Sequence, residues 1–318
     1  MGENMEGVNH ALDYTKDYGI DAERLERASL IGDSLAALEV LYPSDEISEL
    51  TKDLIGESGF LEQANGREWA VFVLDGKSKF ADIAKRVEVE RFSEFFGTHP
   101  LEHIGDYCEY DESSIFVLVV DCKDRSSPKP AAELRAVKNG PRGIKTVNTL
   151  VSGEPEANPW SVELGSQLGS NDPDSFYERI KIHPDKTWGI ETMAALKGYA
   201  GNSGEFGAAT FPLYAVCLQL SDRAGVNSWV SIQDVRPLKQ MQDLFDKPWE
   251  TLEVEAKSFE GPYPTIPAYI PSLDAAEQKL RGANPEMAEL MIDGIGLKDQ
   301  YALPDELQSA EYIEAVIN

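Results

Sequence analysis

The hydrophobic positions of this chain follow two rhythms. Over the first sixty residues they fall at helical intervals: Leu30, Ile31, Leu35, Leu38 and Leu41 make one stripe, and Ile47, Leu50, Leu54 and Ile55 a second. Residues three and four apart share a helix face, so each stripe predicts an amphipathic helix. The second runs over Asp45–Ile55, with Ser44 as N-cap and Gly56 as C-cap. From Trp69 short apolar runs alternate with helical stripes. Trp69–Leu74 and Ile115–Val120 are predicted as buried strands, and Ala131–Val137 returns after the polar loop Lys123–Pro130, so that 115–137 reads as a hairpin. Lys79–Phe96 is helical through Phe80, Ile83, Ala84, Val87, Phe92, Phe95 and Phe96, and Gly97 closes it. Tyr110–Ser114 reads as a turn. Val151–Asp174, rich in Gly, Ser, Asn and Pro, reads as an irregular loop.

The second half repeats the alternation. Thr187–Leu196 is a predicted strand, and Gly198–Ala208 a loop with a glycine at every third position. A helix follows over Phe211–Ala224, then a strand over Trp229–Ile232, a helix over Pro237–Phe245 and a last strand over Trp249–Val254. Pro262–Pro271 reads as an extended surface arm, and Ser272–Gly282 and Pro285–Ile292 as helices.

Composition narrows the class. Of 318 residues, 42% are apolar and 27% charged, an ordinary globular mixture. No apolar run approaches the ~18–20 residues of a membrane span. The N-terminal stretch carries acids and no apolar core, so no secretory signal is expected. The three cysteines, Cys108, Cys122 and Cys217, are too few and odd in number for a disulfide framework, which points to a cytoplasmic protein. None has metal-ligand spacing, and no metal is expected. A net charge of −27 repels phosphate backbones, so nucleic acid and anionic membrane are poor partners. Such a charge suits solubility or a cationic substrate.

The order strand, helix, hairpin, strand, glycine-rich loop, helix, strand, helix, strand resembles the GNAT acyltransferase fold. The resemblance is to the branch of acyl-homoserine lactone synthases and N-acyl amino acid synthases, over residues 67–255. It is carried by Val87–Gly97 with Arg91, Phe92, Phe95 and Phe96; by Tyr110, Asp111, Ser114, Phe116 and Asp121; by Leu134 and Arg135; and by Val226–Leu252. It implies an α/β fold, a GNAT-like mixed, mostly antiparallel central sheet flanked by helices. A helical N-terminal extension (1–66) would precede the acyltransferase domain (67–255). A Pro-rich arm with C-terminal helices (256–318) would follow.

The resemblance also implies chemistry. The glycine loop would cradle the pyrophosphate of coenzyme A with Lys197, Gly201, Asn202, Gly204, Gly207 and Ala208, since glycines let backbone N–H groups approach an anion. Lys197 is the loop's lone cation and Glu205 would repel phosphate, so a plain surface turn is the competing reading. The strand backbone at Met193 and Ala195 would hold the pantetheine arm. Glu191 would deprotonate an attacking amine, if it is not instead paired with Arg135 or solvated. Side-chain alternation places Glu191 and Met193 on one face, Ile190 and Thr192 on the other. Arg135 would clamp a substrate carboxylate or orient Glu191, or else form a structural ion pair with Glu133 or another local acid. Trp188 and Trp229 would wall an acyl pocket or sit in the core.

The Tyr general acid that many GNAT enzymes carry on the helix after their fifth strand has no counterpart in Pro237–Phe245, which leaves Tyr199 and Tyr214 as substitutes. His10, His99, His103 and His183 are scattered and read as surface or capping residues, and Cys217 as core. Without a Ser-His-Asp or Cys-His set, the amine of a small molecule would attack acyl-coenzyme A directly. The alternatives are a GNAT-fold protein that binds a metabolite or protein partner without catalysis, and an acyl-homoserine lactone-type signal synthase.

Overall fold

A computed structural model describes residues 21–200, 207–244, 247–259 and 261–318. Gly201, Asn202, Gly204 and Glu205 of the glycine loop lie outside the described residues, as does Phe245. Strands β1 (Trp69–Asp75), β2 (Ser114–Asp121), β3 (Lys129–Val137) and β4 (Thr187–Ala195) pair antiparallel in that order. They read as continuous apolar runs because helices cover both faces of the sheet. On one face, Phe72, Leu74, Phe116 and Leu118 meet the helix Ala81–Phe96 and the helices of residues 22–63. On the other, Val71, Val73, Val117 and Leu134 meet the helix Phe211–Arg223. A third apolar cluster gathers the helices Lys145–Val151, Ser161–Leu168 and Pro173–Ile180 around buried Trp160 and Val230.

Strand β5 (Ser228–Asp234) joins β4 in parallel, and only at Thr187↔Ser228, Trp188↔Trp229 and Gly189↔Val230. Beyond Gly189 the two strands part. The short strands β6 (Glu250–Thr251) and β7 (Lys257–Ser258) and the longer β8 (Pro264–Ile270) complete that side, and β9 (Tyr301–Ala302) runs parallel to β1 at the opposite edge. The sheet is therefore mixed, open and mostly antiparallel.

Several expectations are corrected. Pro262–Pro271 is no surface arm: β8 pairs with β5 from Trp229↔Ile270 to Asp234↔Thr265. Its prolines are tolerated because its other neighbours, β6 and β7, are two residues each and demand few ladder bonds. Of Trp249–Val254 only Glu250–Thr251 is strand. A helix over Pro100–Tyr110 was not foreseen, and Val151–Asp174 contains the helix Ser161–Leu168. Ser44 does not cap the second N-terminal helix. It is that helix's first residue, and its N–H and hydroxyl donate to Glu39 at 2.7 and 2.8 Å, so the preceding helix supplies the cap. Gly56 lies inside the helix, and the left-handed residue that ends the turn is Gly59, φ +67°.

Candidate active site

Where β4 and β5 diverge, a cleft of about 510 Å³ opens through the sheet. Ser231 Oγ donates to the Ile190 carbonyl at 2.7 Å and marks the fork. Ile190–Met193 form one wall and Ser231–Asp234 the other. Helix Ala81–Phe96 contributes Glu88, Arg91 and Phe92; helix Pro100–Tyr110 contributes His103 and Asp106; Lys145, Thr146 and Tyr214 complete the interior.

Strict alternation fails at Glu191. Arg135 registers with Thr192, while Ala136 registers with Ile190, so Glu191 is the extra residue of a β-bulge. Ile190 and Met193 consequently pack on the same side, against the Phe211–Arg223 layer, contrary to the expected pairing of faces. The Glu191 carboxylate folds toward the start of helix Lys145–Val151. Thr146 N–H donates to Oε1 at 3.1 Å and Thr146 Oγ1 to Oε2 at 2.9 Å. That position needs a glycine next door: a Cβ on Gly189 would stand 2.3 Å from Glu191 Oε1 and 2.7 Å from Ile144. Burial raises the Glu191 pKa above the usual carboxylate value, against the pull of Lys145, Arg135 and the Thr146 hydrogen bonds.

Behind the cleft wall lies a buried polar layer. Arg135 is fully buried. Its Nε donates to Ser114 Oγ at 3.1 Å, and its guanidinium lies over Tyr107, 4.9 Å from the ring centroid. Its ion-pair contact is Asp106 at 3.8 Å, and neither Glu191 nor Glu133 takes that place. Both Nη atoms, both Glu133 carboxyl oxygens and Glu88 Oε2 have no hydrogen-bond partner. Burial raises the pKa of Glu133 and of Glu88, with the Arg135 charge opposing in each case. His103 is also buried here, contrary to its reading as a surface or capping residue. Desolvation lowers its pKa to about 4, so its imidazole is neutral near pH 7.

The other expected site residues spread along β4 and beyond. Met193 lines the cleft, Ala195 ends the strand, and Lys197 is exposed past it. Trp188 is buried in the core and does not line the cleft, whereas Trp229 lines a smaller neighbouring cavity. At the far end of the glycine loop, Gly207 is buried and its carbonyl accepts from Thr210 N–H at 3.0 Å; Ala208 accepts from the Tyr301 hydroxyl at 2.6 Å. Of the two substitute tyrosines, Tyr199 donates to Asp121 at 3.1 Å outside the cleft, and burial pushes its pKa up to about 12. Tyr214 lines the cleft itself, with its pKa raised by burial. Among the described residues no group of three or more His, Cys, Asp or Glu is placed to hold a metal ion, and no helix is long and apolar enough to cross a membrane.

Glu88, Asp106, Lys145 and Thr146 escaped the sequence reading, which placed His103 at the surface or in a cap. The one usable signal was Pro100, which suits the first turn of a helix and carries His103 and Asp106 with it.

No protein-family model matches the chain, and no curated protein matches it. Solved structures do. A CoA-dependent acyl-homoserine lactone synthase, BjaI, with SAM and isopentyl-CoA is 11% identical, with a TM-score of 0.44 over 78% of this chain and 98% of that one. FeeM, an N-acyl amino acid synthase from uncultured soil microbes, is 10% identical, with a TM-score of 0.42 over 66% and 94%. Spermidine N-acetyltransferase from Vibrio cholerae in complex with CoA and spermine is 10% identical, with a TM-score of 0.32 over 64% and 95%.

Proposed function

We propose that this protein transfers an acyl group from coenzyme A to the amine of a small molecule. The observation that carries the reading is the fork between β4 and β5. It leaves β4 beyond Gly189 unpaired by β5, and Ile190–Met193 of that stretch face a cleft that crosses the sheet. Main-chain donors and acceptors in a buried slot need partners, and an extended arm bearing amides, such as pantetheine, supplies them. Met193 and Ala195 hold that arm, and the bulge at Glu191 re-aims the strand beside the thioester.

The loop from Lys197 through Gly201, Asn202 and Gly204 to Gly207 and Ala208 receives the pyrophosphate at the start of helix Phe211–Arg223. Glu191 accepts the amine proton, and Tyr214 donates to the departing thiolate. Acids outnumber bases along the cleft: Glu88, Glu102, Asp106, Glu191 and Asp234 against Arg91, Lys145 and Arg236, with His103 neutral. That balance favours an ammonium-bearing acceptor over an anionic one. The net charge of −27 disfavours an acidic carrier protein as donor, so free acyl-coenzyme A is the donor.

Ligand binding without catalysis is the second reading. It is favoured by the two hydrogen bonds from Thr146 that already hold the Glu191 carboxylate. Titration calorimetry with coenzyme A and a panel of acyl-coenzyme A thioesters, followed by thiol release in the presence of amines, separates the two. Binding with thiol release supports transfer; binding without release under any amine, or binding of none of these ligands, rejects transfer and favours the second reading.

A further inference from the structure

Among the described residues, five carboxylates line the cleft, and four of them are engaged. Glu191 accepts both hydrogen bonds from Thr146. Asp106 pairs with Lys145, and Asp234 with Arg236. Glu102 accepts from the His99 N–H at the start of its own helix, at 3.2 Å. Glu88 differs: it is 1% exposed, and its Oε2 has no hydrogen-bond partner. A buried polar atom without a partner calls for an explanation, and the mechanism above gives Glu88 nothing to do. We propose that Glu88 is the second proton acceptor of the reaction, beside Glu191. The proposal rests on the acyl-transfer reading above and adds a catalytic residue to it.

The proton count requires a second acceptor. An ammonium has no lone pair, so one proton leaves before attack. The freed lone pair forms the C–N bond, the C–S bonding pair departs on sulfur, and nitrogen becomes an amide N–H only by losing a second proton. One carboxylate holds one proton: Glu191 takes the first and Glu88 the second. Tyr214 protonates the thiolate and recovers its proton from Glu88, while the proton on Glu191 leaves with the products, one per amide formed. The setting of Glu88 suits this task. The titratable groups facing it are Arg135 and Glu133 from β3, Lys145, and His103, Asp106 and Tyr107 from Pro100–Tyr110. Burial strengthens its hold on a proton, and Arg135 and Lys145 oppose burial. Burial and the Glu88 charge together raise the pKa of Glu133, whose two oxygens also lack partners, so Glu133 keeps its proton and the pair presents one charge to Arg135.

The test compares thiol release by the unaltered full chain, Glu88→Gln, Glu191→Gln and the double variant between pH 7 and pH 9, with coenzyme A affinity measured alongside by calorimetry. Glu88→Gln should slow turnover ~10²–10⁴-fold at pH 7 while coenzyme A binds as before. A free amine has only one proton to lose, and either carboxylate can take it. The loss in each single variant should therefore shrink toward pH 9, whereas the double variant, with neither acceptor, should keep its deficit. Circular dichroism checks folding. If Glu88→Gln does not fold, Glu88→Asp, which keeps the charge and withdraws it by one methylene, should show the same pH-dependent loss on a smaller scale. Unchanged turnover in the folded variant, or a loss equal at every pH as a purely structural role would give, overturns the assignment and leaves the transfer reading standing. Absence of thiol release from the unaltered protein with every amine overturns both.

Discussion

The imidazole of His103 should make the stability of this protein depend on pH in a way that can be isolated. Its ring meets Phe92 edge-on with centroids 5.2 Å apart, and the residue is 9% exposed. Burial is the largest influence on its pKa, which falls from 6.5 to about 4; Lys145 and Arg135 push it the same way, and Asp106 and Glu102 push back. Glu88 Oε1 stands 3.8 Å from Nδ1. Between pH 4 and 6.5 the folded imidazole is neutral while the unfolded one is protonated. The unfolded state then binds more protons, so stability rises with pH across that window. At 1.36 kcal/mol per tenfold change, the whole window amounts to about 3 kcal/mol.

Glu88, Glu133 and Glu191 work in the opposite sense. Their folded pKa values are raised, so they lose stability as pH rises through them. The readout is therefore the difference between the unaltered protein and His103→Leu, from urea unfolding at intervals from pH 4 to 7. The unaltered protein should gain about 3 kcal/mol on the variant over that range, nearly all of it below pH 6.5. A difference constant to within about 0.5 kcal/mol, the scatter of an inert surface change, refutes the buried neutral imidazole.

Two further outcomes follow from the cleft and the layer behind it. Glu191→Gln should lower turnover, measured as thiol release, by ~10²–10⁴-fold with coenzyme A affinity preserved, and the loss should shrink at high pH where free amine is plentiful; unchanged turnover rejects Glu191 as the base. Arg135→Met leaves Glu88 and Glu133 buried without the guanidinium that opposes their raised pKa values. Calorimetric melting should show a loss of about 3–5 kcal/mol at pH 8 that narrows at pH 5, where the carboxyls take up protons; equal losses at both pH values would show that they do not sense Arg135.

Most of the central sheet was legible because buried strands announce themselves. Trp69–Leu74, Ile115–Val120 and Ala131–Val137 have no polar face to disguise them, and a strand covered on both sides needs none. The helices from 145 to 180 were hidden for the converse reason. They are seven or eight residues long, and their order comes from shared packing around Trp160 rather than from propensity. Strand β8 was hidden by Pro264 and Pro267, whose cost depends on which neighbours the strand has, a fact no local pattern records.

The family resemblance pointed to Glu191, which lines the cleft, but its bulge was not legible, since period-two reading assumes an unbroken ladder. Gly189 in the middle of a strand was the available clue, because such a glycine often marks a bulge or a close approach. Glu88 and Glu133 look like solvated residues in sequence. Their burial follows only from Ala81–Phe96 lying across β3 and β4.

An open strand edge is ordinarily a hazard, because exposed N–H and C=O groups recruit a second chain and seed aggregation. The fork between β4 and β5 relocates one such edge from the rim of the sheet to its interior. There it is out of reach of another protein's strand, which would need to thread between two packed helical layers. A slender linear molecule meets no such barrier. Under the proposed function, size exclusion alone would turn a feature that elsewhere promotes self-association into one that discriminates among ligands.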